Sequence, residues 1–313
     1  MPTVHLLGPQ RQRPTAPAVV RRIAGRVAVV TAGWQENEDD PLPGKLAARG
    51  VNLGIYRRAE RVFDEDRELF QAHRERQLAL KRLQQLYRLR LDHAIAAYVQ
   101  LLELEGDRAE EPLAGELQAA LEAVRDLDRK HLERVREAHA EFEDRWQPSG
   151  REAVARQRRE LAAELEAASA VLLAGGHVAV LLNRLRLFDL APLLAGKTLV
   201  AWSAGAMVAA RRIVLFHDSP PWGAGNAEVL DSGLDLCADV LPLPDARRRL
   251  RADDPLRVGR LARRFAPLSC VALDERSCLR RDESGWSGRR ARLFGRDGAV
   301  RAVGESTWEA LAP

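Results

Sequence analysis

Residues 198–207 read Thr198-Leu199-Val200-Ala201-Trp202-Ser203-Ala204-Gly205-Ala206-Met207. An apolar run meets a serine and then a string of small residues. That order describes a buried strand, a sharp turn and the first turn of a helix. A serine at the apex of such a turn has strained backbone and needs small neighbours, because the flanking chain nearly touches it. Its hydroxyl would stand above the sheet edge, close to helix N–H groups able to hold an oxyanion. The pattern departs from G-x-S-x-G only at Ala201, which is also small. Two local readings fit: a nucleophile elbow, or a serine that caps a helix after a buried strand.

Working outward, the same alternation of strand and helix recurs. Ala170–Ala174 reads as a strand, followed by Gly175-Gly176-His177 and a helix through Phe188. Val27–Gly33 reads as a short buried strand ending in a small-residue turn, and Val51–Tyr56 as a weaker strand. Further strands are expected at Arg212–Phe216, Val240–Leu243 and Cys270–Leu273. Arg290–Leu293 and Ala299–Val303 read as a closing hairpin turned at Asp297-Gly298. Short apolar strands joined by helical segments make an α/β fold with a mainly parallel sheet flanked by helices. The polar residues 1–25 are expected to form an arm or an extended edge.

Between Arg58 and Ala170 the composition shifts to Leu, Glu, Arg, Gln and Ala. Leu83, Tyr87, Leu91, Ile95, Tyr98 and Leu102 recur at helical steps, as do Leu117, Leu121, Val124, Val135 and Phe142. Residues 58–148 therefore read as a long helical insertion, an antiparallel hairpin. It divides the α/β domain into 1–57, with the arm and first strands, and 149–313, with the serine turn. Its apolar stripe can cover the α/β domain or a second copy in a homodimer; both readings stay open.

The 313 residues carry a formal charge of +4, and 46% are apolar. Lysine occurs only at Lys45, Lys81, Lys130 and Lys197, so arginine dominates the basic residues. Acidic residues nearly balance them, no nucleic-acid module is visible, and no nucleic acid is expected as partner. No run approaches the roughly 20 apolar residues of a membrane span. The N-terminus lacks the apolar stretch of a secretory signal, so a cytoplasmic location and no membrane partner are expected. Cys237, Cys270 and Cys278 make no metal spacing. They read as reduced core thiols, and neither metal nor cofactor is expected.

Four segments together carry a resemblance: Ala174-Gly175-Gly176-His177, Ala201–Ala206, Phe216-His217-Asp218-Ser219-Pro220 and Ser232-Gly233-Leu234-Asp235-Leu236. In order and spacing the C-terminal half resembles the dipeptidase E and cyanophycinase family of serine peptidases, within the class I glutamine amidotransferase-like superfamily. The resemblance implies that Ser203 is the nucleophile. It also implies that Gly175, Gly176 and Ala204 supply oxyanion-hole N–H groups, and that Asp218 is the triad acid. The local alternative for His217-Asp218 is a loop pair before Pro220 and Pro221.

One position departs from the family. The general base is expected about forty residues after the serine, where the chain reads Val240-Leu241-Pro242-Leu243-Pro244-Asp245-Ala246-Arg247-Arg248-Arg249. Asp245 occupies the slot, and no histidine follows His217. A carboxylate with pKa near 4 is a poor acceptor for a serine proton at pH 7. His177 and His217 are the candidates to substitute. Arg247 and Arg248 either bind a substrate carboxylate or pair with Asp245, Asp253 and Asp254. Three functions follow: a hydrolase of small peptides or isopeptides, impaired at its base; a catalytically silent homologue that binds a small peptide or amino-acid-like ligand; or an assembly protein working through the helical insertion.

Overall fold

The computed structural model describes residues 2–42, 50–104, 111–217, 225–237 and 239–304. The chain starts with strand β1 (Val4–Leu7), helix α1 (Ala16–Val20), β2 (Val27–Val30), a 3-10 turn (Ala32–Asn37) and β3 (Gly50–Asn52). Helices α2 (Ile55–Glu65), α3 (Arg67–Leu104), α4 (Glu111–Trp146) and α5 (Glu152–Glu166) follow. Next come β4 (Ala170–Leu173), α6 (Val178–Leu187), α7 (Ala191–Leu194), β5 (Thr198–Trp202), α8 (Ala204–Ala209), β6 (Arg212–Leu215) and β7 (Glu228–Ser232). The remainder is β8 (Val240–Pro244), α9 (Ala246–Arg249), α10 (Pro255–Phe265), β9 (Ser269–Leu273), β10 (Cys278–Asp282), β11 (Gly285–Arg289), β12 (Arg292–Phe294) and β13 (Val300–Ala302).

The central sheet runs β11-β10-β1-β5-β4-β2-β3. Strands β1, β5, β4, β2 and β3 are parallel, and β10 and β11 extend the sheet antiparallel. Every residue of β2 (Val-Ala-Val-Val) and β4 (Ala-Val-Leu-Leu) is buried, as expected for parallel strands covered on both faces. The register pairs Val30 with Leu173, Leu173 with Ala201, and Leu7 with Trp202. Four neighbouring strands therefore end together, and the turns that follow them meet along one edge. Strands β6 and β7 pair separately, and β13-β12-β9-β8 form a third sheet.

Three segments differ from the sequence expectation. The first residues are not an arm: β1 lies inside the central sheet, with Leu6 and Leu7 fully buried. His5 interrupts its apolar run. Burial, reinforced by Arg280, pushes the imidazole down to about 4, so a neutral ring sits in the strand at pH 7. The strand at Val51–Tyr56 is shorter, and α2 starts at Ile55 because the buried Glu38 carboxylate accepts the Tyr56 and Arg57 N–H groups. The hairpin β10–β11 is an addition. Its residues are charged and glycine-containing, and it gains its place by pairing with β1.

Helices α3 and α4 form the antiparallel hairpin. The Tyr87 ring stacks on His131 at 4.1 Å, and the Arg76 guanidinium lies 3.8 Å over Phe142. The stripe buries within the chain: Leu91 and Val124 join the main core. A buried polar knot ties this hairpin to the α/β body. Arg264 of α10 donates Nε to Asp128 Oδ2 (2.8 Å) and Nη2 to Asp128 Oδ1 (2.7 Å). It also donates to the Tyr87 hydroxyl (2.9 Å) and the Ala227 carbonyl (2.7 Å). The Tyr87 hydroxyl donates to Asp128 Oδ1 at 2.6 Å and accepts the Val229 N–H at 3.2 Å. Burial pushes the Tyr87 hydroxyl far above its usual range, so it stays a donor. Among the described residues no helix is long and apolar enough to cross a membrane.

The Arg264 and Asp128 side chains are 4% and 2% exposed, so removing one partner strands a buried charge. Arg264→Met is expected to cost about 3–5 kcal/mol. Asp128→Leu/Arg264→Met, which removes both charges, is expected to cost less. Urea unfolding followed by circular dichroism measures both; a double variant weaker than the single one would refute the knot's role.

Candidate active site

Ser203 stands between β5 and α8 with φ 50° and ψ −119°. A non-glycine residue adopts that backbone only where the surroundings force it. Two close approaches supply the force. A Cβ on Gly205 would lie 2.2 Å from the Leu173 carbonyl oxygen, so α8 packs against the end of β4 only with glycine there. A Cβ on Gly175 would lie 3.0 Å from Ser203 Cβ and 3.2 Å from the Trp202 ring. The Ser203 N–H donates to the Leu7 carbonyl at 3.4 Å, fastening the apex to β1.

Ser203 occupies the N-cap position of α8, yet its side chain makes no capping hydrogen bond. The hydroxyl is not committed to the helix, and the residue is half-buried. Of the two local readings, the capping serine is the one this geometry does not favour. Around it, Gly175 is buried, and its N–H and that of Gly176 have no backbone acceptor among the described residues. The Ala204 N–H belongs to the first turn of α8, where no helical carbonyl can reach it. Gly176 leans on the turn after β2: the His177 N–H donates to the Gly33 carbonyl at 2.7 Å.

The remaining candidates fall as follows. Asp218 lies outside the described residues. His217 is half-buried, and its carbonyl accepts the Gly225 N–H at 3.0 Å. His177 is exposed and caps α6: its Nδ1 accepts the Val180 N–H at 3.3 Å. With that lone pair engaged, a neutral His177 carries its proton on Nε2, the wrong tautomer for a base acting through that nitrogen.

Asp245 follows β8 in the left-handed region (φ 59°, ψ 35°). Its N–H donates to the Leu273 carbonyl at 3.0 Å. Its carboxylate has Arg248 at 3.9 Å and forms no hydrogen bond to Ser203. Burial pushes its pKa up, opposed by Arg248 and Arg249. The Arg247 N–H donates to Asp274 Oδ1 at 2.7 Å, and its side chain is exposed. Arg248 is exposed too, Arg249 lies 6.0 Å from the Phe216 ring centroid, and Arg251 pairs with Asp254 at 3.2 Å. Gly8, next to the Leu7 carbonyl that holds Ser203, packs against the Asp274 carbonyl. The ends of β1, β5 and β9 and the start of α9 thus share one edge.

The turn after β2 is the part of this edge that the sequence pattern does not mark. A Cβ on Gly176 would lie 2.9 Å from the Trp34 ring. Gln35 next to it has φ 59° and ψ −124°, nearly the backbone of Ser203. Glu38 fixes this turn: its carbonyl accepts Thr31 Oγ1 (2.8 Å) and Asn52 Nδ2 (2.8 Å). The glycine in Thr31-Ala32-Gly33 was the one available signal. Among the described residues no group of three or more His, Cys, Asp or Glu could hold a metal ion.

Comparison with known proteins adds three findings. No curated protein matches the chain. The crystal structure of a peptidase from an acI-B1 Actinobacterium is 12% identical, over 98% of this chain and 96% of that one, at a TM-score of 0.43. Residues 121–252, which hold the Gly175-Gly176 turn, the Ser203 turn and Asp245, match the model of peptidase family S51. The resemblance to the dipeptidase E and cyanophycinase family is therefore borne out by the match over residues 121–252.

Proposed function

We propose that the chain is a serine peptidase-like hydrolase of small peptides or isopeptides, with Ser203 as nucleophile and turnover held low by Asp245 at the base's place. The observation that carries this reading is the backbone of Ser203, strained at the end of β5 with its hydroxyl free of the helix cap. In such a site the serine oxygen attacks the peptide carbonyl, and the oxyanion is held by N–H groups of Gly175 or Gly176 and Ala204. An acyl-enzyme forms as the amine leaves, and water releases it. Asp245, ionised at neutral pH, is a weak acceptor for the serine proton; the proton it takes is the one it then passes to the leaving amine, so weak acceptance holds back the whole transfer.

A second reading has its own observation. Asp245 is partnered by Arg248 and makes no bond to Ser203. A homologue that keeps the pocket and binds a small peptide or amino-acid-like ligand without turning it over fits that arrangement equally. In that reading the helical hairpin supplies assembly contacts, including those of a homodimer.

A fluorophosphonate probe separates the readings. Wild type is expected to label slowly at Ser203, and Asp245→His to label faster and gain dipeptide turnover by about 10²-fold or more. Asp245→His/Ser203→Ala must lose both. Fast, Ser203-dependent turnover by wild type would overturn the impaired-base reading and send attention to His217.

Asp245 also sets a pH-dependent stability. Its folded pKa lies above the unfolded value, so the protonated form is the better tolerated one in the fold. That contribution is fully present below the unfolded pKa and is lost as pH rises through the folded pKa. Asp245→Asn, which also accepts positive φ, is therefore expected to raise the melting temperature near about pH 7. The gain should shrink toward about pH 3. An equal gain at both ends would show that burial of the charge is not the cause.

A further inference from the structure

A cleft of about 460 Å³ opens between α4, the corner from α6 to α7 and the end of β7. It lies at the far end of α6 from the Ser203 edge. The ten residues of that helix, Val178–Leu187, separate the Gly175-Gly176 turn from the cleft by roughly 15 Å. Its size falls within that of small-ligand sites, and nothing in the Ser203 chemistry uses it.

The inner wall is a charge cluster in which His139 Nδ1 is buried without a hydrogen-bond partner. Arg186 forks onto Asp231, with Nη1 at 2.8 Å and Nη2 at 2.9 Å, and its Nη2 also donates to the Ser232 carbonyl at 2.7 Å. His139 Nε2 lies 2.9 Å from Asp231 Oδ2 and 2.6 Å from Arg186 Nη1. The Asp231 charge is thus neutralised inside the wall, which is left polar. Leu187, Leu190 and Leu234 supply the apolar part of the lining.

The rim differs. Arg136 has no carboxylate partner among the described residues; its side-chain bond is a long one, 3.4 Å to Ser232 Oγ. Glu143 is half exposed and forms an ion pair with the buried Arg76 at 3.8 Å. Arg136 and Glu143 are seven residues apart on one face of α4, about 10 Å along its axis. Their charges are opposite. An extended peptide advances about 3.3–3.6 Å per residue, so two or three residues place a carboxylate and an ammonium at that separation. The planar fork of Arg136 suits the carboxylate, Glu143 suits the ammonium, and the leucines suit an apolar side chain between them.

We propose that this cleft is a second binding site, distinct from Ser203, for a short zwitterionic peptide of two or three residues with an apolar side chain. The assignment does not depend on whether Ser203 turns peptides over.

The test uses the full chain carrying Ser203→Ala and the peptide Ala-Leu-Ala, with binding measured by calorimetry. Free Ala-Leu-Ala is expected to bind, and N-acetylation or C-terminal amidation to weaken it at least about tenfold, roughly one charge-assisted contact each. Arg136→Ala should weaken the free peptide by a similar factor and make amidation cost nothing further. Glu143→Ala should do the same for acetylation. Both side chains are exposed, and melting temperatures check that the variants fold. Absence of binding at about 10 mM peptide, equal binding of blocked peptides, or binding that survives Arg136→Ala/Glu143→Ala would overturn the site. Fluorophosphonate labelling of the wild type reads Ser203 independently, so either reading can fail alone.

Discussion

The edge around Ser203 depends on two approaches so close that only glycine fits them. Gly205 sits where a Cβ would come 2.2 Å from the Leu173 carbonyl oxygen, and Gly175 where one would come 3.0 Å from Ser203 Cβ. Without those approaches α8 could not start directly over the end of β4, and Ser203 could relax out of its positive φ. The register of β1, β5, β4 and β2 then acts as a jig: the strands end level, so their turns crowd together. Ligand sites in open parallel sheets form at such carboxyl ends. The strain at Ser203 is local, but its maintenance is shared among four strands.

The helical hairpin is held to this body by a different kind of bond. Apolar packing along Leu91, Ile95 and Val124 is tolerant of small shifts, whereas the Arg264–Asp128–Tyr87 knot is directional. A buried ion pair gives little net stability over an apolar replacement, but it penalises every alternative placement that leaves a charge unmatched. The second tie, Arg186 to Asp231 and His139, works the same way at the other end of β7. The hairpin is thus registered at two points on one strand. The cleft lies against the second of them.

Much of this was legible in the sequence, and the gaps have physical causes. The buried strands 170–173, 198–202 and 240–244 declare themselves because parallel strands covered on both faces are continuous apolar runs. The hairpin declares itself by helical period. Strand β1 does not, because His5 breaks its run, and the imidazole is tolerated only once burial has made it neutral. Strands β10 and β11 carry arginines and glycines and exist through pairing with β1. At the edge itself, Ser203 and the glycine pair were readable from small-residue spacing. Gln35 and Glu38 were not, since a strained turn and a remote helix cap leave no periodic trace. The arginines after Asp245 show why composition is a poor guide to a ligand: Arg248 has Asp245 beside it, and Arg251 has Asp254.

The weight of Asp245 can be judged by magnitude. A carboxylate near 3.9 and an imidazole near 6.5 differ by about 2.6 pKa units, or about 3.5 kcal/mol of proton affinity. Even if all of that difference entered the transition state, it would slow proton removal by roughly 400-fold. Loss of a triad base costs more, about 10⁴- to 10⁶-fold. Basicity therefore accounts for only part of the handicap in the proposed hydrolase. The burial that raises the Asp245 pKa narrows that part, while Arg248 and Arg249 widen it again. What remains is geometric. A histidine reaches farther than an aspartate and has two nitrogens, one to take the serine proton and one to be oriented by an acid. In the proposed hydrolase, the lack of an Asp245–Ser203 hydrogen bond among the described residues adds a handicap of reach to that of pKa.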